Sequence, residues 1–487
     1  MGIERVKGVR DWLPADVARR LQVEDHVRGV FDRHVYQSVD VPILEQTELY
    51  LRKSGTEVAA RLYSFTDQGG RKLSLRPELT ASIIRAYLDQ ASRLTLPLRW
   101  QYGGPVFRYE RPQRGKYRQF HQQGCELIGL SGSRADAEIV ALAEAALDGL
   151  GIATRTVVGH LGAVLRMLDQ LRLSDRVKGF LLGNLDAIAR GKRSSATVWQ
   201  RLVDLGMVTE GDQAQLNQLL RGLDDDQAQA VVRGLLAGMN IELTGSREPE
   251  EIVSRLLRKL RGADDRAQLE RAVQFIEALG SVRGAPERVF GQAAAVLDEY
   301  GIDHAVLDEL RETTDLLLAH GRDLDRLTID FGLARGLAYY SGLVFEIYPA
   351  DDDLPVCGGG RYDGLIRALG GRVDVPALGF AYYVERILEA QAAGETAASV
   401  PAEVVIVVRD AADYPAGLRL ADTWRRDGRR VTVDVRDGGG RAALQTAHRH
   451  GIPEVFLIES IGDSELSGTL REMASGQERH LTVRLTQ

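Results

Sequence analysis

The hydrophobic pattern changes character along the chain, and each change marks an element. Leu21, Val23, Val27, Val30 and Phe31 recur at helical spacing and predict a helix over 15–33. Short β-branched and aromatic runs follow. One predicts a strand over 37–42, closed by Pro42, whose missing N–H suits an edge or an end. Two more, 62–67 and 71–76, flank Gln68-Gly69-Gly70 and read as a hairpin. Leu75 to Thr80 then ends a strand and opens a helix with Pro77 in its first turn. Glu78 stands where a carboxylate either complements the helix dipole or binds an ammonium group. The longest run, Trp100 to Leu130, predicts two strands, 100–110 and 117–130, joined by the loop Arg111–Lys116. Side chains alternate along a strand, so Arg118, Gln122 and Glu126 share one face, and Arg108 and Glu110 share a face of the partner. A face so charged is either solvated or a polar site.

A helix over 135–150 and a strand over 153–159 precede a stretch, 160–325, that is helical by pattern and poor in aromatics. Segments such as 165–173, 198–206, 216–223, 252–262 and 316–324 read as successive amphipathic helices, without a strict repeat. Strand signals resume at Leu327. The aromatic and β-branched run from Ala338 to Tyr348 predicts a strand with Tyr340, Gly342 and Glu346 on one face. In Cys357–Gly364 consecutive glycines either form a turn or let backbone amides approach a ligand. Ala377 to Ile387 passes from strand to helix, where Arg386 is either a surface residue or a phosphate ligand. After a linker over 391–400, strands at 403–408, 431–435 and 454–458 alternate with helices at 414–427 and 440–450. That order predicts a small α/β domain with a largely parallel sheet. Arg425, Arg426, Arg429 and Arg430 cluster there, as a solvated face or a nucleic-acid contact.

Composition adds limits. A chain of 487 residues exceeds one hydrophobic core, so roughly two to four domains are expected. A net charge of −7 gives no global pull toward nucleic acid. No Lys follows Lys259, so anion recognition in the second half falls to Arg, which binds bidentately. Cys125 and Cys357 make neither a disulfide framework nor a zinc cluster and read as buried thiols in a reducing compartment. No metal-ligating set is expected. The first residues lack the apolar core of a signal peptide, and no apolar run spans a bilayer, so a cytoplasmic protein without membrane contact is expected.

These residues carry a resemblance. Phe107 to Gln113, with Gln119 to Gln122 and Gly124-Cys125-Glu126, resembles motif 2 of the class II aminoacyl-tRNA synthetases, and of the histidyl-tRNA synthetase family in particular. Lys7 to Pro14 resembles that family's N-terminal loop, Pro42 its motif 1 proline, and Leu75 to Thr80 the segment whose glutamate binds an amino group. Arg335 to Tyr340 and Gly358 to Gly364 resemble its two histidine motifs, Gly379 to Arg386 its motif 3, and the last domain its anticodon-binding domain. The implied fold is α+β, an antiparallel class II sheet core with a helical insertion and a C-terminal α/β domain. Residues 1–159 and 326–390 would form the catalytic core, 160–325 the insertion, 391–401 the linker and 402–487 the anticodon-binding-like domain.

The resemblance implies a homodimer that uses ATP with Mg²⁺ to activate histidine and then charges tRNA(His). Arg108 and Arg335 would stabilise the reacting phosphate. Arg108, Glu110 and Arg386 would bind ATP. Glu78, Gln122, Glu126, Arg335, Tyr339 and Tyr340 would bind histidine. The chain departs from the family's pattern at Ala338, where an Asp is usual, at Tyr383, where a Gly is usual, and at Gly439–Leu444, which lack a basic pair. Gly159 to Leu165 and Asp330 to Leu333 look more like the synthetase-derived regulatory subunit of ATP phosphoribosyltransferase, which binds histidine without charging tRNA. The alternative reading is therefore a non-catalytic, histidine-binding regulator of histidine biosynthesis.

Overall fold

A computed structural model describes residues 3–52, 60–171, 173–205, 207–208, 220, 223–238, 253, 266–333, 339–391, 402–434, 439–462 and 465–484. The chain divides into two compact units, one of Met1–Asp11 and Arg20–Ala393, the other of Trp12–Arg19 and Gly394–Gln487. In the first unit the strands are, in chain order, β1 (Gln37–Ser38), β2 (Leu44–Gln46), β3 (Ser64–Thr66), β4 (Lys72–Leu75), β5 (Leu98–Phe107), β6 (Gln119–Ile128), β7 (Thr154–His160), β8 (Arg283–Gly284), β9 (Leu327–Asp330), β10 (Leu343–Pro349), β11 (Cys357–Arg361) and β12 (Ala377–Tyr383). Nine of them form one sheet in the order β1-β5-β6-β12-β11-β10-β7-β9-β8, and β2-β4-β3 form a small second sheet. The large sheet is antiparallel except at β1–β5 and β7–β9. The α+β class with an antiparallel core is thus as expected.

The core lies between this sheet and helix Ser133–Asp148, which buries Ile139, Val140, Leu142 and Leu147. Its buried alanines, Ala135, Ala137, Ala143 and Ala146, allow close approach, and Tyr382 Oη donates to Ala143 O at 2.5 Å. Pro105 is accommodated in β5 because β1 pairs only with Trp100 and Gln101, leaving that edge without a ladder to break. Between β7 and β9 the described residues form helices Gly162–Gln170, Asp175–Gly183, Leu185–Ala189, Ser195–Asp204, Asp225–Gly238, Arg266–Gly280, Pro286–Tyr300 and Ala305–Ala319. The helices expected at 216–223 and 252–262 fall largely outside the described residues, as does the linker expected over 391–400.

Two expectations are corrected here. β5 ends at Phe107, so Arg108 and Glu110 lie in the loop and not on a strand face. The Arg108 N–H still donates to Arg118 O at 2.9 Å, but Glu110 N then donates to Arg108 O and bends the chain. β10 begins at Leu343, so Tyr340 and Gly342 precede the strand and do not share a face with Glu346.

The second unit contains β13 (Val404–Val407), β14 (Val431–Asp434), β15 (Glu454–Ile461), β16 (Glu465–Glu472) and β17 (Glu478–Arg484) in the order β14-β13-β15-β16-β17. Val404 and Ile406 pack toward helix Tyr414–Arg426, through Leu420 and Trp424, while Val405 and Val407 pack toward helix Gly439–Arg449, through Ala443 and Ala447. A strand covered on both faces must be apolar throughout, which explains the unbroken run Val404-Val405-Ile406-Val407. The expected largely parallel sheet is mixed instead, because β15, β16 and β17 pair antiparallel. Each arginine of the expected cluster has a partner: Arg425 with Asp422, Arg426 with Asp422 O, Arg429 with Glu454 and Arg430 with Glu403.

Candidate active site

The site is built on one face of β6. Glu126 pairs across to Gly379, Gly124 to Ala381 and Gln122 to Tyr383, so these side chains point to the same side of the sheet. On the other flank Tyr102 of β5 stands opposite Gly124. Glu126 is fully buried. Its Oε1 accepts from Thr80 Oγ1 at 2.7 Å and from Tyr102 Oη at 2.8 Å, and its Oε2 accepts from Tyr362 Oη. Burial pushes the Glu126 carboxyl up from 4.5 to about 7, against the lowering effect of hydrogen bonds from Tyr362, Thr80 and Tyr102; the charge of Glu78 raises it further. The result is an acceptor poised near neutrality at the bottom of a polar face.

The other described residues expected to hold histidine are also buried. Gln122 is 5 % exposed, and its Oε1 has no hydrogen-bond partner among the described residues. Glu78, also buried, accepts from Tyr339 Oη at 2.8 Å through Oε2. Tyr340 rests on Tyr339 with ring centroids 4.9 Å apart, and Tyr362 meets Tyr339 edge-on at 5.8 Å. Gly360 makes room for Tyr340, because a Cβ there would sit 2.9 Å from the ring. Arg335 and Ala338 lie outside the described residues.

At the outer end of the same hairpin a cleft is lined by Arg108, Glu110, Lys116, Phe120, Tyr383 and Arg386, among others. Arg108 Nε donates to Pro77 O at 2.8 Å, and its guanidinium lies over Phe120, 5.1 Å from the ring centre. Arg386 Nε and Nη1 donate to Gly115 O at 2.9 Å and Pro355 O at 2.7 Å, and its guanidinium lies over Tyr383 at 4.1 Å. Glu110 pairs with Arg61 at 3.1 Å. Buried Glu385 accepts from the His121 N–H at 2.9 Å and meets His121 Nδ1 at 3.0 Å, which ties β6 to helix Val384–Ala390. The structure thus brings Arg108, Glu110 and Arg386 into one cleft and Glu78, Glu126, Tyr339 and Tyr340 into one buried polar cluster, while Gln122 lies on the same sheet face as Glu126 but four residues along β6, opposite Tyr383. Sequence reasoning missed the hydroxyls on Glu126, from Thr80, Tyr102 and Tyr362. Tyr102 had a local signal, a strand residue opposite a glycine, but Thr80 and Tyr362 converge only through tertiary structure.

The large sheet thus carries a charged hairpin, β5 and β6, near one edge, with buried acceptors toward one end of it and the arginine-lined cleft at the other. The sequence profile described as Histidyl-tRNA synthetase matches residues 8–233 and 194–387. The chain is 32 % identical to a curated Thermococcus kodakarensis protein named Histidine–tRNA ligase, over 98 % of this chain and 96 % of that one. Among solved structures it is similar to a histidyl-tRNA synthetase from Nostoc, with a TM-score of 0.64 at 17 % identity over 99 % of this chain and 97 % of that one. It is also similar to a Bacillus halodurans structure titled as an ATP phosphoribosyltransferase regulatory subunit/histidyl-tRNA synthetase, with a TM-score of 0.63 at 22 % identity over 92 % and 97 %. The chain belongs to the histidyl-tRNA synthetase family.

Proposed function

We propose that the chain is an ATP-dependent histidine–tRNA ligase. The observation that carries this reading is Glu126, a buried carboxylate held by three hydroxyls, on the same hairpin face as Gln122 and on the same hairpin as the arginine-lined cleft. Three hydroxyls fill three of the roughly four acceptor positions of a carboxylate, so the buried Glu126 selects a ligand side chain whose N–H can take the remaining one. The imidazole would donate to Glu126, the amino group would meet Glu78 and the carboxylate end would meet Gln122. Tyr340 is the proposed second imidazole partner, and Tyr339 acts by holding Glu78.

In the reaction a histidine carboxylate oxygen attacks the α-phosphorus of ATP, the bond to the bridging oxygen breaks and pyrophosphate leaves. The terminal ribose hydroxyl of tRNA(His) then attacks the acyl carbon and AMP leaves. Charge grows on the α-phosphate during the first step. Arg108, fixed by its bond to Pro77 O, is held where it can offset that charge without reorganising. Arg335 shares this role by resemblance alone. Arg386 would hold the terminal phosphate. Mg²⁺ would enter with ATP, with Glu110 as a cleft carboxylate able to contact it. Holding both reactants in line supplies much of the acceleration.

A homodimer is part of the proposal. It is supported by the motif 1 resemblance at Pro42 and by exposed apolar Ile43 and Leu44 beside it. A cytoplasmic location and the division into core, insertion and anticodon-binding-like domain rest on the family resemblance. Among the described residues no helix is long and apolar enough to cross a membrane. Histidine-dependent ATP–pyrophosphate exchange by the purified chain tests the reading. No exchange, with histidine still bound, would favour the regulatory alternative, which has no use for an arginine-lined cleft.

A further inference from the structure

Arg361 lies outside both halves of the site, yet its contacts reach the segments that carry Glu126, Tyr340 and Gly379, and Tyr362 follows it in the chain. An arginine carries five N–H donors, and here each has an acceptor. Nε and Nη2 donate to Asp136 Oδ1 at 3.0 and 2.8 Å, Nη1 to Leu130 O and Asp363 Oδ1 at 3.1 Å each, and Nη2 to Gly132 O at 3.4 Å. The side chains of the Arg361–Asp136 pair are 7 % and 6 % exposed. Leu130 and Gly132 follow the end of β6, which carries Glu126. The Arg361 carbonyl accepts from Ser341 N at 2.8 Å, the residue after Tyr340. Asp363 N donates to Ser341 Oγ at 3.0 Å, and Ala377 N donates to Asp363 Oδ1 at 3.0 Å, which sets the start of the strand bearing Gly379. Gly342 leaves space for the Arg361 stem, since a Cβ there would lie 2.9 Å from Arg361 Cδ. The next residue, Tyr362, donates to Glu126.

We infer that Arg361, clamped on Asp136, is a positioning residue for the amino-acid pocket: it sets the mutual placement of Glu126, Tyr362 and the Tyr339–Tyr340 segment, and so controls histidine affinity without touching histidine. The inference rests on the proposal that this pocket binds histidine. A fully satisfied buried cluster specifies one arrangement, whereas a partly satisfied one admits several. None of the contacts made by Arg361 reaches the cleft around Arg108 and Arg386, so the effect should be confined to the amino-acid side.

The test uses full-length wild type, Arg361→Lys, which keeps the charge and loses the fork, and Asp136→Asn as a second variant should the first not fold. Arg99→Lys serves as control, because Arg99 pairs with Glu138 and sits across from Leu127, on the opposite face of the same sheet. Histidine binding is read by calorimetry and both Michaelis constants by pyrophosphate exchange. Expected is a loss of histidine affinity of about 10-fold or more with the KM for ATP within about 2-fold of wild type, and no such split in the Arg99 control. Equal losses for both substrates, a split in the control, or unchanged histidine affinity in a folded variant overturns the inference while leaving the ligase reading intact. A wild type that binds no histidine overturns both.

Discussion

Gly379 stands directly across from Glu126, and a Cβ built on it would lie 1.6 Å from Glu126 Oε2. The carboxylate occupies the volume that a side chain at 379 would need. Gly379→Ala must therefore expel Glu126 from its three hydroxyl donors or push β12 away from β6. Overpacking of this kind costs about 1–3 kcal/mol. The substitution should lower stability by that amount in denaturant melts and reduce histidine affinity in calorimetry by at least about 10-fold. Histidine affinity close to wild type would show that the carboxylate has another place to go.

The buried Glu126 also makes stability depend on pH. Its carboxyl titrates near 7 in the folded protein against 4.5 when free. At about 1.4 kcal/mol per pH unit the gap amounts to about 3 kcal/mol. Below pH 4.5 both states are protonated and the full stability is present. Between 4.5 and 7 the unfolded chain loses its proton while the folded chain keeps it, so stability falls as pH rises, and the loss is complete above 7. In Glu126→Gln that contribution is absent. The melting temperature of the ligand-free variant relative to wild type should rise between pH 5 and pH 8, while histidine affinity is lost. A difference in melting temperature that does not vary with pH would place the Glu126 titration outside this window.

Tyr383 occupies the arginine-lined cleft between Phe120, at a centroid distance of 5.9 Å, and the guanidinium of Arg386. A planar ring held between an aromatic and a cation is what a nucleotide base would also seek there. Tyr383→Gly should therefore change the KM for ATP far more than the KM for histidine, by about 10-fold, and a fall would show that Tyr383 competes with the base. Equal shifts in both constants, measured by pyrophosphate exchange, would remove Tyr383 from the nucleotide side.

Much of this arrangement is legible in the amino-acid sequence. The Trp100–Leu130 hairpin is marked by its aromatic and β-branched run and its turn, and period-2 alternation places Gln122 and Glu126 on one face. Alternation fails at Arg108 and Glu110 because the chain bends at Glu110 N–Arg108 O, a local hydrogen bond that leaves no mark in hydrophobic periodicity. It fails again at Tyr340, where an aromatic run continues upstream of the strand it leads into. β16 and β17 escape the pattern because Ser467, Gly468, Thr469 and His480 dilute their apolar positions. The hydroxyls on Glu126 come from β5, from the head of helix Thr80–Gln90 and from the residue after β11, and only the tertiary fold brings all three together.

Arg108 joins the two halves of the site, since its guanidinium lies in the cleft while its Nε holds Pro77 O, the carbonyl next to Glu78. Arg108→Lys keeps a positive charge but cannot reproduce the planar donor set. If the arginine acts mainly on the developing phosphate charge, kcat should fall by about 10²–10³-fold, the range for removing one preorganised donor, with both Michaelis constants changed little. If its main role is to hold Glu78, the KM for histidine should rise and kcat should change less. Substrate-saturation curves in pyrophosphate exchange separate the two. The first outcome is expected, because Glu78 retains its hydrogen bond from Tyr339 when Arg108 is altered, whereas the cleft loses the planar guanidinium seated against Phe120.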